Sequence, residues 1–464
     1  MKTYQDLIEV GESEQARMEF CQSLISEHKA SALYKRAVDA DMYARGKNAT
    51  IQKYQKVLYK LTGQAVPDKY TANHKCKSGF FKLFITQEAS FQVGNGVTFE
   101  KEETKKKLGK DFDTVFYKAV KAALVQAVAF IFFNLDHCEL YKVTEFAPLY
   151  SEDTGALMAG VRWWQIDTGK PMRYTLFEPD GYTEYVRDDN GVDRVLKEKR
   201  KYKLNVSYTE ADGEEIVEGE NYKTFPVIPL YGNIEKQSEL EGKREQIDCY
   251  DLIKSGFAND LDDASMIYWT LTNCGGMDDI DVAKFIQRMK VVKAAVVGAE
   301  GDENPKAEAH TVEVPYQSRE TYLERLRKDL YTDFMALDVS QIAAGATTAT
   351  QIKAAYEPLV EKCDELEMCL FEFINALLAV DGIDDTPSFK RSMISNEGEF
   401  TQMVLSAAEY LDEQTVLELL PWLPPDKVKE ILDRKAVEEA SRYKEMELEV
   451  EEMKRQKEEE GLEE

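Results

Sequence analysis

The sequence predicts an α+β protein in which a β-rich module is set between long helices, and three observations carry that prediction. Apolar residues recur every three or four positions over 12–62 and again beyond 238, the spacing of one helical face. From Glu139 to Leu230 they alternate instead, and the stretch is rich in aromatic residues. Turn-forming Gly, Asp, Asn and Pro mark the places where the period changes.

Taken in order, Phe20, Leu24, Leu33, Val38, Ile51, Tyr54, Leu58 and Leu61 predict helices over 12–62, ended by Gly63. FFKLFITQEASF precedes a Gly94-Asn95-Gly96 turn and a short run at Val97–Phe99. Phe112–Phe133 reads as a helix, buried through its apolar stretch Ala119–Leu135. The pieces LYKVTEF, VRWWQI, MRYTLFE, TEYVRDD and KYKLNVSYTE read as strands, joined by hairpins at Asp180-Gly181, Asp189-Asn190-Gly191 and Asp212-Gly213.

Ser238 and Glu241 form a capping-box pattern, which predicts a long helix over Ser238–Leu271 stopped by Gly275-Gly276. A compact αβ unit follows, with a helix at Asp281–Met289 and strands at Lys290–Val297 and His310–Val314. Tyr322, Leu326, Leu330, Phe334 and Leu337 mark a second helix over Tyr316–Leu337. Asp338–Ala349 (DVSQIAAGATTA) has small and hydroxyl side chains and almost no charge, as expected of a pliable loop. Thr348 and Gln351 then cap a long helix with Pro358 near its start, where a kink is expected. A strand at Ser388–Ser395, helices at Phe400–Leu411 and Asp412–Leu420, a last helix through Val437 and an acidic tail complete the chain.

The 464 residues allow about three domains or one long layered architecture. With 43% hydrophobic and 31% charged residues the chain is globular. A net charge of −27 disfavours holding nucleic acid over a broad face by neutralising phosphates. Cys21, Cys76, Cys138, Cys249, Cys274, Cys363 and Cys369 form no C-x-x-C pair, which fits a reducing compartment and no zinc ribbon. No window approaches a membrane span, and the N-terminus lacks the pattern of a signal peptide.

Chemistry-bearing motifs are sparse. No phosphate-cradling G-x-x-x-x-G-K-[ST] or G-x-S-x-G nucleophile turn exists. His74 with Cys76, and His137 with Cys138, read as structural residues, because sequence neighbours seldom face each other as a dyad. Asp260, Asp262 and Asp263, like Asp278, Asp279 and Asp281, could in principle gather Mg²⁺, but no companion Lys or His stands in a nuclease order, so no metal or cofactor is expected. Lys284, Arg288, Lys290 and Lys293 in the αβ unit are candidate contacts to a partner, the plain alternative being a mixed-charge surface.

The order helix, small αβ unit, helix, small-residue loop, long helix resembles the portal proteins of tailed bacteriophages, in the family common in phages of Gram-positive bacteria. FFKLFITQEASFQVGNGVTF, TFPVIPLYGN, SELEGKREQIDCYDLIKSGFANDLDD and AAEYLDEQTVLELLPWLPPDKVKEILDRK resemble successive segments of that family, covering most of 70–440. The resemblance implies an elongated subunit with a wing (1–237 and 350–396), a stem of two helices (238–271 and 316–337), a clip (272–315), a tunnel loop (338–349) and a crown with an acidic tail (397–464). It implies a ring of twelve subunits at one capsid vertex, assembled in the host cytoplasm with scaffold and major capsid proteins. Double-stranded DNA would pass through it. Terminase and then a head-completion adaptor would dock at the clip, with Lys284, Arg288, Lys290 and Lys293 as contacts. Gln341, Ile342, Ala343, Ala344, Gly345, Ala346, Thr347 and Thr348 would touch the DNA without holding it. The rivals are an oligomeric scaffold or head–tail adaptor without a DNA channel, and a metal nuclease using Asp260, Asp262 and Asp263.

Overall fold

The computed structural model describes residues 2–59, 63–69, 71–208, 215–264, 268–272, 280–281, 284, 306–310, 315–340, 349–391, 397–420, 423, 427–428, 431–438 and 440–442. The chain divides into two compact units: Met1–Leu337 with Pro358–Ser392, and Asp338–Glu357 with Met393–Glu464.

The first unit opens with helices α1 (Tyr4–Val10), α2 (Glu14–Ala30), α3 (Ala32–Ala44) and α4 (Ala49–Lys53). Side-chain oxygens of Thr3, Ser31 and Asn48 accept the first free amides of α1, α3 and α4. The helical region ends earlier than its periodicity predicts, because β1 (Val57–Tyr59) pairs antiparallel with β2 (Ala65–Pro67). Helix α5 (Phe80–Val93), β3 (Val97–Phe99), α6 (Glu102–Leu108) and α7 (Phe112–Gln126) follow.

Helix α7 does not run to Phe133. Ala127 takes a positive φ of 74°, and Val128–Asn134 leaves as strand β4, central between β13 (Val227–Tyr231) and β5 (His137–Lys142). A strand buried on both faces is continuously apolar, so Val-Ala-Phe-Ile-Phe-Phe has no period to separate it from a buried helix; its aromatic and branched residues favour the strand.

The alternating region forms the expected hairpins. Strands β6 (Phe146–Tyr150), β7 (Leu157–Trp164), β8 (Met172–Glu178), β9 (Gly181–Arg187) and β10 (Asp193–Arg200) make an antiparallel meander of five, and β11 (Lys203–Tyr208) pairs with β12 (Glu215–Glu220). The predicted turn at 212–213 lies outside the described residues. One face of the meander buries Val161, Trp163, Tyr174, Leu176 and Tyr185 against Leu7, Phe20, Cys21 and Leu24 of α1 and α2. Gly160 admits the ring of Phe146, since a Cβ there would lie 2.2 Å from Cζ of that ring.

The long helix predicted from Ser238 begins later, as α8 (Arg244–Ala264). The Ser238 hydroxyl donates to the Val125 carbonyl and accepts the Leu240 amide, but residues 239–243 form turns and the helix starts only after them. The far end is also shorter: Tyr268–Thr272 is strand β14, paired with β15 (Lys306–His310). The second predicted strand of the αβ unit therefore sits upstream of the expected 310–314, and the one expected at 290–297 lies outside the described residues. Helix α9 (Tyr316–Asp333) matches its apolar stripe but stops four residues short of Leu337. Helix α10 (Ala349–Asp381) contains Pro358 without interruption, and the boundary between the units falls at that residue. β16 (Pro387–Phe389) pairs with β3, giving a shorter strand than 388–395.

The larger core of this unit gathers Phe81, Phe84, Phe112, Phe116, Phe130, Ile131, Leu330, Phe334, Leu370, Phe373 and Leu377. In the second unit α11 (Glu397–Ala407) and α12 (Glu413–Glu418) stand near the predicted positions, α12 capped by the Asp412 carboxylate.

Candidate functional site

The loop residues Gln341, Ile342, Ala343, Ala344, Gly345, Ala346, Thr347 and Thr348 lie outside the described residues, as do Arg288, Lys290 and Lys293. Lys284 is exposed on a helical segment and pairs with Asp281 one turn earlier at 3.4 Å. Two of the acids weighed for a nuclease, Asp260 and Asp262, are turned to other partners. Asp260 binds Arg319, and Asp262 Oδ2 lies 2.5 Å from His74 Nε2. Among the described residues no group of three or more His, Cys, Asp or Glu side chains is arranged to hold a metal ion. His74 thus faces Asp262 rather than Cys76. His137 is half exposed beside Asp136 and Glu139, whereas burial pushes the Cys138 thiol up to about 12.

The helices on either side of the αβ unit pack on each other and on α5. Arg319 of α9 reaches Asp260 of α8, and Gln246 of α8 reaches Asp333 of α9. Phe80 of α5 sits edge-on to Tyr250 at 5.0 Å and to Tyr331 at 6.4 Å. One side of α8 carries a strap formed by residues 74–78. The Ser78 amide donates to Asp251 Oδ1 (2.8 Å), the Cys76 amide to Ser255 Oγ (3.0 Å) and the His74 amide to Asn259 Oδ1 (2.7 Å). Every second strap residue therefore meets every fourth helix residue, and Asp251, Ser255 and Asn259 are all buried.

The chain just ahead of the loop is held by α5. Gln87 donates from Nε2 to the Leu337 carbonyl (2.9 Å) and accepts the Leu337 amide at Oε1 (3.1 Å), as a strand partner would. The next residue on α5, Glu88, belongs to a buried ion cluster. Lys362 Nζ of α10 lies 2.7 Å from Glu88 Oε2 and 2.7 Å from Glu239 Oε2, and donates to the Phe334 carbonyl at 3.3 Å. Lys243 adds a second cation, 3.2 Å from Glu239 Oε2.

Burial would drive every member of this cluster toward neutrality, and the partners decide which resist. Glu239 has Lys362, Lys243 and the Asn233 amide group, which overcome its burial and bring it down to about 2. Lys362 is depressed by burial but raised further by Glu88 and Glu239, so it stays charged. Burial raises Glu88 from 4.5 to about 7, since Lys362 and, more weakly, Lys243 offset it only in part and the Glu239 carboxylate works against them.

Because the folded chain holds the Glu88 proton more tightly than the unfolded chain does, stability should fall as pH rises from about 4.5 to about 7 and then level. The slope from this group is at most about 1.4 kcal/mol per pH unit. Glu88→Gln should remove that share of the slope in thermal unfolding followed from pH 5 to 8.5. An unchanged slope would assign the proton elsewhere.

Periodicity and motif spacing did not reveal the cluster. The available signal was an acid at position 88 of the apolar run FFKLFITQEASF, in register with Phe81, Phe84 and Ile85 on the buried face. Lys362 similarly flanks the stripe Leu359, Cys363 and Leu366.

Among known proteins, the portal protein of Clostridium phage phiCD119 is 29% identical over 240 residues, 50% of this chain and 52% of that protein's length. The portal protein of Bacillus phage SPP1 is 24% identical over 425 residues, 83% of this chain and 79% of its own. A solved chain titled the neck of an empty GTA particle, C6 symmetry, has a TM-score of 0.44 and 10% identity, over 75% of this chain and 91% of that one. The native-particle neck with C12 symmetry gives 0.43 and 11%, over 75% and 90%. The model of the family described as phage portal protein, SPP1 Gp6-like, matches residues 25–461. With that match running along nearly its whole length, the chain belongs to the SPP1 Gp6-like phage portal proteins.

Proposed function

We propose that copies of this chain close into a ring, twelve in number, at one capsid vertex, and that double-stranded DNA enters and leaves through its axis. Family membership over 25–461 is the observation that carries this reading. The two helices around the αβ unit support it physically. Of the 18 residues of α9 only Leu326 and Leu330 are buried, while Tyr316 and Tyr322 on α9 and Leu252 and Leu261 on α8 stay exposed in the single chain. A helix so poorly covered by its own subunit gains stability from neighbours. The net charge of −27 repels a passing duplex instead of trapping it.

In this reading 272–315 docks terminase during packaging and a head-completion adaptor afterwards, with Lys284, Arg288, Lys290 and Lys293 as candidate contacts. The chain performs no catalysis itself, and ATP hydrolysis belongs to terminase. Subunits assemble in the host cytoplasm with scaffold and major capsid proteins before residing in the virion. Mass by light scattering together with negative-stain electron microscopy tests the ring: closed rings with an axial hole are expected, and a stable dimer without a hole would favour an adaptor or scaffold.

The loop has its own test. Ala344→Glu and Gly345→Arg place charge where residues 341–348 carry none, and should reduce DNA packaging by about tenfold or more while rings still form. Undiminished packaging by both variants would remove residues 341–348 from the channel.

A further inference from the structure

We propose that Lys362 is a positioning residue that fixes the segment leading into the loop 338–348, tying the end of α9 and the lead-in to α8 to the long helix α10. This rests on the channel reading above for its functional consequence, but the geometry belongs to the chain alone. A lysine ammonium has three N–H groups and no lone pair. Here its three neighbours come from three segments: Glu88 on α5, Glu239 just before α8, and the Phe334 carbonyl one residue past α9. The side chains are 11%, 3% and 7% exposed for Lys362, Glu88 and Glu239, so water is a poor substitute for any of them.

Two further contacts act on the same place. The Lys243 ammonium stands over the Phe334 ring, 4.6 Å from its centroid, and Gln87 holds Leu337 by both its amide and its carbonyl. The segment 334–337 and the part of α10 from Pro358 onward are therefore joined through one cation. Buried ion clusters seldom add stability over apolar residues of equal volume, but they impose directions that apolar residues do not. Three acceptors converging on one nitrogen define a position in space; a methionine at 362 would fill the volume and leave the three segments free to shift.

Hydrogen–deuterium exchange of the full-length protein tests this, with Lys362→Met and the triple variant Lys362→Met/Glu88→Gln/Glu239→Gln, which removes the three most buried charges. The triple variant leaves no unpaired carboxylate in the cluster and so keeps the test alive if Lys362→Met alone misfolds. Amides of 334–337 and 239–243 should exchange faster by about tenfold or more, while those of β7, β8 and β9 keep their wild-type rates. Packaging by rings of the triple variant should fall by a similar factor. Wild-type exchange at 334–337 in the folded triple variant, or equal acceleration throughout the chain, would overturn the proposal. So would undiminished packaging. Should the wild-type protein itself form no ring and package no DNA, the channel reading falls, and the exchange comparison still decides whether Lys362 fixes these segments.

Discussion

Phe116→Ala should lower the unfolding free energy of the first unit by about 3–5 kcal/mol, because the cavity it leaves has no means of closing. Phe116 has no solvent exposure, and its ring stacks with Phe112 at 5.6 Å, Phe373 at 5.9 Å and Phe389 at 6.4 Å. Those rings belong to α7, α10 and β16, and each is fixed by its own element. Collapse around a missing ring would require a helix and a strand to move together. Denaturant titration gives the value. Phe116→Leu should recover more than half of the loss, and a Phe116→Ala protein within about 1 kcal/mol of wild type would mean that this aromatic stack does not carry the core.

Asp251→Ala should cost about 2–5 kcal/mol, the loss of one buried acceptor serving two donors. Its Oδ1 takes the Ser78 amide at 2.8 Å and its Oδ2 the Asn48 side-chain amide at 2.9 Å. Asn48 also caps α4 through Ile51, so the loss spreads to that helix. Asp251→Asn keeps one acceptor oxygen and should fall between wild type and Asp251→Ala. The same variants should loosen the strap, and the half-buried Cys76 at its centre reports this directly. Its rate of modification by a thiol reagent, followed by mass spectrometry, should rise in the order wild type, Asp251→Asn, Asp251→Ala. A rate that does not change would mean the strap is held by something other than these amides.

Periodicity identified the elements that meet water on one side and not those enclosed on both. VRWWQI alternates because one face of β7 packs on α1 and α2, and the stripe of α9 is visible because the rest of that helix is polar. Val128–Asn134 is enclosed by two sheet neighbours and two faces, so its run of apolar residues carried no period and read as helix. At Ser238 the hydroxyl does accept the Leu240 amide, but residues 239–243 make turns there, with Ser238 also tied to the Val125 carbonyl far upstream. The residues around the loop were legible only in part. Composition marks 341–348 as uncharged and small, whereas Glu88, Glu239 and Lys362 are joined by tertiary folding and lie on three separate segments that no local pattern links.

The strap on α8 behaves as a vernier. Two residues of extended chain advance about 6.6 Å, while four residues of helix advance about 6.0 Å. Rungs between the two scales therefore drift by roughly 0.6 Å each, about the whole width of the hydrogen-bond distance range. Counted outward from Cys76 and Ser255, one rung on either side stays within tolerance, and those are the Ser78 and His74 amides. A further rung would be out of step by more than 1 Å for a backbone amide. Beyond Asn259 the grip on the helix continues through a side chain, the imidazole of His74 on Asp262. The incommensurate rise of strand and helix thus sets the length over which main chain alone can grip this helix, and a side chain takes over where that length ends.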